Sequence, residues 1–250
     1  RHFNSKVIVY LLGVILCFLG VVCFIPAIIS FYYQENLSYA FLLTSFFYII
    51  IGTTMAYFNK NYKLPLSKKD CQISVGLIWF IIPIFGALPY MFFPQEFSTM
   101  EAIFESYSGF TTTGSTIIDD FNDIPHGILA YRALTGWIGG LGFTLFIIIF
   151  LRRYSGSFNN LFNAEFSSIN KEKIYPHIFT TVTRIFIIYT SLTVLCFLLL
   201  CFSDMDVFSA FCHSLSTVST CGFSTSNGNI GAFDNYAQWV LILMMFLSGT

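Results

Sequence analysis

Two stretches decide how this chain is read: AIFESYSGFTTTGST at 102–116 and AFCHSLSTVSTCGFS at 210–224. Set Gly114 over Gly222, and Ala102 falls on Ala210, Ser106 on Ser214, Ser108 on Ser216 and Thr112 on Thr220. Each stretch belongs to an apolar segment (98–111 and 206–219) followed by a Gly/Ser/Thr-rich loop. A helix that crosses ~30 Å of hydrocarbon needs about 20 residues, so neither segment spans. Each has a long apolar run before it and another after it. The unit is span, half-helix, Thr/Gly loop, span, and it occurs twice in the same orientation. Short half-helices with irregular backbone are tolerated at membrane depth only where they line a pore or are buried in protein.

Physical chemistry gives this unit a use. A short helix entering from outside aims its partly negative C-terminal end at the membrane centre, where it favours a cation. The loop after it can turn backbone carbonyls toward an axis, where they replace a cation's water shell. Glycine permits the backbone angles such a turn needs. Potassium, weakly hydrated compared with sodium, suits a ring of carbonyls. Two loops cannot surround an ion and four normally do, so two more are expected downstream or on another chain.

The rest of the chain fits a bilayer. Of its 250 residues, 56% are hydrophobic and 10% charged, against about 25% charged in a soluble domain. The mean hydropathy is +0.72. Six apolar runs meet or approach spanning length: 7–31, 39–58, 71–93, 127–151, 178–202 and 236–250. The first is too long for a signal-peptide core and reads as a retained span. The net charge of −1 points to neither nucleic acid nor a polybasic lipid anchor. The seven cysteines form no CxxC pair and no Cys/His cluster with zinc spacing, and most read as small packing residues.

Charge sidedness tests this layout. With a cytoplasmic N-terminus, the inner segments hold Arg1, Lys6, Lys60, Lys63, Lys68, Lys69, Arg152, Arg153, Lys171, Lys173 and Arg184. Only Arg132 lies toward the outer side. Glu35, Glu96, Glu101, Glu105, Asp119, Asp120, Asp123, Asp204, Asp206 and Asp234 fall outside or in the half-helices. This bias supports six spans and two outer half-helices. The expected fold is all-α and integral to the membrane. A two-span hairpin (1–70) precedes a first span–pore–span unit (71–153), a cytoplasmic linker (154–175) and a second unit (176–250).

At these residues the chain resembles the Trk/Ktr/HKT family of potassium transporters. SGFTTTGST at 108–116 is similar to the family's first filter loop, and PHGILAYR at 125–132 with YRALTGWIGGLGFTLF at 131–146 to the helix after it. HSLSTVSTCGFSTSNGNIGAFD at 213–234 resembles the second filter loop and the segment after it, and the two extra N-terminal spans resemble the TrkH branch. The resemblance implies four such units in one polypeptide around one potassium-channel-like pore, two of them present here. The chain ends inside an apolar run, which suggests a piece of a longer protein. Carried over residue by residue, the potassium filter is Thr111, Thr112, Thr113 and Gly114 in the first unit and Ser219, Thr220, Cys221 and Gly222 in the second. Thr-Cys-Gly replaces Thr-Thr-Gly in the second loop, a change that carbonyl ligation tolerates. Gly114 and Gly222 go with potassium preference. The resemblance further implies a transported potassium ion with no organic cofactor. It implies a multi-pass protein of the plasma membrane, here a bacterial inner membrane. It also implies a homodimer and a cytoplasmic, nucleotide-binding, TrkA-like regulatory subunit.

Other residues carry competing readings. Glu105 either braces the filter from behind or is a helix-surface carboxylate facing outer water. His213, at the equivalent place, reads better as a packing histidine than as a pH sensor. Gly139, Gly140 and Gly142 permit close helix packing, or else a bend. Arg132 snorkels or pairs with an outer carboxylate. Asp119, Asp120 and Asp123 form a solvated loop, or gather cations at the entrance. The rival function is a secondary transporter of a small solute. Such proteins show inverted repeats and buried ionisable groups within spans, whereas these repeats are parallel. No HExxH, no Walker A loop and no Ser/His/Asp arrangement point to an enzyme.

Overall fold

The computed structural model describes residues 5–59, 68–93, 97–142 and 178–249. The linker (154–175) and the end of the fourth run lie outside the described residues. So do the basic residues Lys60, Lys63, Arg152, Arg153, Lys171 and Lys173. Among the described residues all regular structure is helical. In chain order the helices are α1 (Ser5–Val22), α2 (Phe24–Tyr32), α3 (Ser38–Asn59), α4 (Lys68–Gly86), α5 (Leu88–Met91) and α6 (Thr99–Phe110). Next come α7 (126–142), α8 (Ile178–Leu200), α9 (Val207–Val218) and α10 (Asn235–Gly249). The segments Ile8–Tyr32, Ser38–Asn59 and Val182–Leu200 are long and apolar enough to cross a membrane. Gly76–Met91, Val207–Val218 and Asn235–Gly249 are shorter apolar helices.

The first apolar run is two helices joined at Cys23. Pro26 lies in the first turn of α2 and has no N–H to carry the α1 ladder through the joint. α1 packs against α3 through glycines. A side chain on Gly13 would strike the Gly52 carbonyl oxygen at 2.7 Å, and one on Gly52 the Gly13 oxygen at 2.5 Å. Farther along, the Ser45 hydroxyl donates to the Gly20 carbonyl at 2.6 Å. Small residues that let helix backbones touch, with a hydroxyl bridging them, are how helices associate where the solvent is itself apolar.

The third run stops early as a helix. α4 ends at Gly86, and its last four carbonyls lack in-helix donors. All four are nevertheless bonded. The Ser106 hydroxyl of α6 donates to the Pro83 oxygen at 2.6 Å. The Ala87 amide donates to Ile84, the Tyr48 hydroxyl of α3 to Phe85, and the Tyr131 hydroxyl of α7 to Gly86 at 3.0 Å. Three separate helices therefore anchor the end of α4. That end is the floor on which α6 rests, and Tyr107 adds a bond to the Phe80 oxygen at 2.5 Å.

α8, α9 and α10 form the second packed group, with Cys196, Leu200, Met205, Ala210, Val218 and Leu241 buried between them. α8 leaves Phe186, Ile187, Ile188, Val194, Leu195 and Leu198 exposed. A helix apolar on its outward face as well as its packed one suits lipid. α7 is tied to α8 by the Trp137 indole, which donates to Thr193 Oγ1 at 3.0 Å, and by the Tyr189 hydroxyl, which donates to the Trp137 carbonyl at 2.9 Å.

Candidate functional site

α6 and α9 are built alike. Each has 12 residues, about 18 Å at 1.5 Å per residue. Their N-caps, Ser98 and Asp206, fall on each other when Gly114 is set on Gly222. Ser98 forms a capping box: its amide donates to Glu101 at 2.7 Å, and the Glu101 amide donates back to the Ser98 hydroxyl at 3.4 Å. The Ser209 amide donates to the Asp206 carboxylate at 3.0 Å. The Glu101 carboxyl is held below its usual range by its bonds to Ser98.

Both helices end in the same motif. The Thr112 amide donates to Gly109 and the Thr113 amide to Ser108, each at 2.9 Å. In the second copy the Thr220 amide donates to Thr217 and the Cys221 amide to Ser216, each at 3.0 Å. This pair of bonds is the Schellman arrangement, whose reversing residue sits in the left-handed region and is usually glycine. Here it is a threonine in both copies, with φ of 53° at Thr112 and 54° at Thr220. A β-branched residue there costs about 1–3 kcal/mol and persists only where its surroundings over-determine it.

The sign of φ then alternates. It is −86° at Thr111, positive at Thr112, negative at Thr113 and +74° at Gly114. It is −77° at Ser219, positive at Thr220, negative at Cys221 and +87° at Gly222. The structure brings the two loops together at Gly114, where a Cβ would overlap the Cys221 carbonyl oxygen. The corresponding side of Gly222 has no atom within 4 Å among the described residues. Thr111 and Thr113 are exposed and joined by a 2.8 Å hydroxyl–hydroxyl bond, while Ser219 and Cys221 are buried.

Behind the loops runs a chain of polar groups. Glu105 is 0% and Arg132 1% exposed in their side chains, and Arg132 Nε donates to Glu105 Oε1 at 2.6 Å. Burial this complete excludes the reading of Glu105 as a carboxylate facing outer water, and Arg132 pairs rather than snorkels. Glu105 also accepts from Thr116 Oγ1 at 2.9 Å and from the Ile117 amide at 3.4 Å. Arg132 Nη1 donates to the Ser224 carbonyl at 3.3 Å, and the guanidinium lies 4.2 Å from the Phe223 ring centre. Ser224 Oγ in turn meets His213 Nε2 at 3.2 Å, and His213 Nδ1 faces the Ser209 carbonyl at 2.8 Å. That carbonyl only accepts, so Nδ1 carries a proton and donates to it. His213 thus has both nitrogens bonded and packs as a satisfied core histidine.

α7 lies against both loops. A Cβ on Gly139 would strike the Phe110 carbonyl, and one on Gly140 would come within 3.1 Å of the Ser219 Cα. One on Gly136 would come within 3.0 Å of the Cys221 sulfur. Gly139 and Gly140 therefore serve close approach, while a Cβ on Gly142 would make only ordinary contact with Trp79 at 3.8 Å. Glu35, in the α2–α3 turn, caps α7 by accepting from the Gly127 amide at 3.1 Å and the His126 amide at 2.5 Å.

The segments after the loops are also joined. Asn227 accepts from the Phe121 amide and donates to Asp120, each at 2.7 Å. These bonds make Asp120 part of a bridge, while Asp119 and Asp123 stay exposed. The hydrogen bond from Asn227, then that from the Asn122 amide, holds the Asp120 carboxyl below its usual range. Among the described residues no group of three or more His, Cys, Asp or Glu side chains could hold a metal ion. Sequence reasoning missed Thr116, Ser224, Asn227 and Gly136. The first two had a signal, because both are hydroxyls two places beyond the aligned glycines.

The family model described as TrkH, cation transport protein, matches residues 37–250. The chain is 32% identical to the Trk system potassium uptake protein TrkH of Escherichia coli K12, covering 99% of this chain and 52% of that protein. It is also 32% identical to an uncharacterized cation transporter of Methanocaldococcus jannaschii, covering 97% of this chain and 50% of that one. The crystal structure of the potassium transporter TrkH from Vibrio parahaemolyticus superposes with a TM-score of 0.85 at 28% identity, covering 99% of this chain and 50% of that one. The chain thus spans about half the length of the relatives it matches.

Proposed function

The chain belongs to the TrkH family of cation transport proteins, and on that premise we propose that it supplies two of four units of a pore for potassium uptake. The family is one of membrane transporters rather than enzymes. The filter in this reading consists of Thr111, Thr112, Thr113 and Gly114 in one loop and Ser219, Thr220, Cys221 and Gly222 in the other. The units are 71–153 and 176–250, each a span, a pore helix, a filter loop and a span, behind an N-terminal hairpin.

The observation that carries the proposal is the alternating sign of φ repeated through both four-residue loops. In an extended strand successive carbonyls point to opposite sides. A run of alternating φ can turn them to one side, as replacement of a cation's water shell requires. The loops come directly after helix C-termini, where partial negative charge favours a cation. Strain in Thr112 and Thr220 at matching positions supports a backbone held in place for a task. Contact of Gly114 with the Cys221 carbonyl supports loops gathered about one axis, and the open side of Gly222 leaves room for a third. The relatives named as potassium uptake proteins support potassium as the cargo.

The same reading places the N-terminus in the cytoplasm of a bacterium and makes the transporter a multi-pass inner-membrane homodimer. Its cytoplasmic face binds a TrkA-like nucleotide-binding subunit, and no organic cofactor is needed. A carrier of organic solutes, the rival reading, fits these residues less well, because the ion pair near the loops bonds to groups behind them through Arg132 Nε and Nη1 and Glu105. The experiment is potassium and sodium flux in liposomes carrying the full-length protein, with Gly114→Ser beside it. Potassium-preferring flux degraded by the substitution is the expected result. Unchanged permeability ratios remove the filter assignment.

A further inference from the structure

A buried ion pair needs a reason, because well-packed apolar residues of similar volume are often at least as stable. Glu105 and Arg132 are the deepest charges among the described residues, at 0% and 1% exposure. They lie in a continuous chain. It starts at Thr116, two residues beyond Gly114, and passes through Glu105 and Arg132 to Ser224, two residues beyond Gly222. It ends on His213, which occupies in α9 the place of Glu105 in α6. The two loops are therefore backed differently. A carboxylate meets the hydroxyl of the first, a histidine ring that of the second, and a single guanidinium from α7 links the two.

We propose that the Glu105–Arg132 pair is a specificity-determining tie that sets the spacing of the first filter loop from the second. The proposal rests on the filter reading above. Arg132 is a positioning residue: it bonds a side chain behind the first loop and a backbone carbonyl just past the second, and it lies over Phe223. A rigid spacing between the loops fixes the width of each ring of carbonyls, which distinguishes ions that differ in radius. Glu105 has a second task. An uncompensated guanidinium close behind carbonyls that bind cations would repel them, and the carboxylate at 2.6 Å cancels its field.

Geometry and charge separate in a mutant cycle. In full-length protein in liposomes, Glu105→Gln leaves Arg132 unpaired, and both potassium and sodium flux fall. Glu105→Gln with Arg132→Gln restores neutrality and with it total flux, but the potassium-to-sodium ratio stays at least about tenfold below wild type, or about 1.4 kcal/mol. Thr116→Val loosens only the outer end of the chain, leaves no buried charge unpaired, and lowers the ratio by a smaller factor. A merely structural pair would alter the amount of folded protein without moving this ratio.

Gly114→Ser in the same liposomes tells the two ideas apart. If it shifts the ratio while the double variant and Thr116→Val keep the wild-type value, the tie is overturned and the filter reading stands. If none of them shifts it, the filter reading falls and the tie falls with it.

Discussion

Replacing Gly114 by Ala incurs two penalties. Its φ of +74° lies where an L-residue costs about 1–2 kcal/mol. The added Cβ would also overlap the Cys221 carbonyl oxygen, with the carbonyl carbon 3.0 Å away. Both atoms are backbone, so relief requires one loop to move, and overpacking of this kind costs about 1–3 kcal/mol. The sum is about 2–5 kcal/mol. Gly222, with φ of +87°, carries the first penalty, yet among the described residues a Cβ there meets nothing within 4 Å. If four loops close a ring, Gly222 abuts the third loop as Gly114 abuts the second, and Ala costs the same at either position. The assay is the potassium-to-sodium flux ratio in liposomes and the thermal midpoint in detergent, for both variants of the full-length protein. Equal losses are expected, with the ratio down at least about tenfold, equivalent to about 1.4 kcal/mol. A Gly222→Ala variant milder by the packing term refutes the ring. A Gly114→Ala variant with the wild-type ratio refutes the filter.

Thr112→Gly and Thr220→Gly relieve a left-handed backbone without removing the Schellman bonds, so each is expected to raise the thermal midpoint, by up to about 1 kcal/mol in stability net of glycine's entropy. A fall in the midpoint would show that the threonine side chains hold more than their backbone strain costs. Ser98→Ala and Asp206→Ala each remove an N-cap at about 1 kcal/mol, lowering the midpoint while the flux ratio stays put. Gly52→Leu drives α1 off α3, with an expected cost of about 1–3 kcal/mol and loss of folded protein in detergent. Asp120 has a depressed carboxyl pKa, so its contribution is present above the unfolded value and is lost as pH falls through the folded one. Asn227→Ala removes the largest cause and moves that loss to higher pH, which NMR titration of the Asp120 carboxyl would read.

The parts of this fold legible in the sequence are those with a local signature. The two short helices are found at Thr99–Phe110 and Val207–Val218, within the segments their length and flanking glycines marked. The break at Cys23 was hidden inside a run read as one span, although Pro26 announced it. The early end of α4 at Gly86 had no such signal, because its carbonyls are satisfied by hydroxyls from Tyr48, Ser106 and Tyr131, all distant in sequence. Glu105 and Arg132 lie 27 residues apart on different helices, so no periodicity within either helix pairs them. Only the packing of α7 between the two loops does. Alignment of Thr116 on Ser224, two places beyond the paired glycines, was a signal for two members of the polar chain that the reading of the sequence did not use.

The two loops show which level of structure the repeat preserves. Backbone signs, cap positions, helix length and Schellman bonds coincide in both copies. Side chains do not: exposed Thr113 corresponds to buried Cys221, Glu105 to His213, and the bonded Ser108 hydroxyl to the Ser216 hydroxyl, which among the described residues is buried without a partner. If side-chain oxygens held the ion, Cys221 would be a lost ligand and the second loop a defect. If carbonyls hold it, only the backbone must match, and the strain of a threonine at the left-handed position is tolerated twice because both backbones must turn at the same place. The coincidence of φ at Thr112 and Thr220, 53° and 54°, against divergent side chains around them, favours the carbonyls.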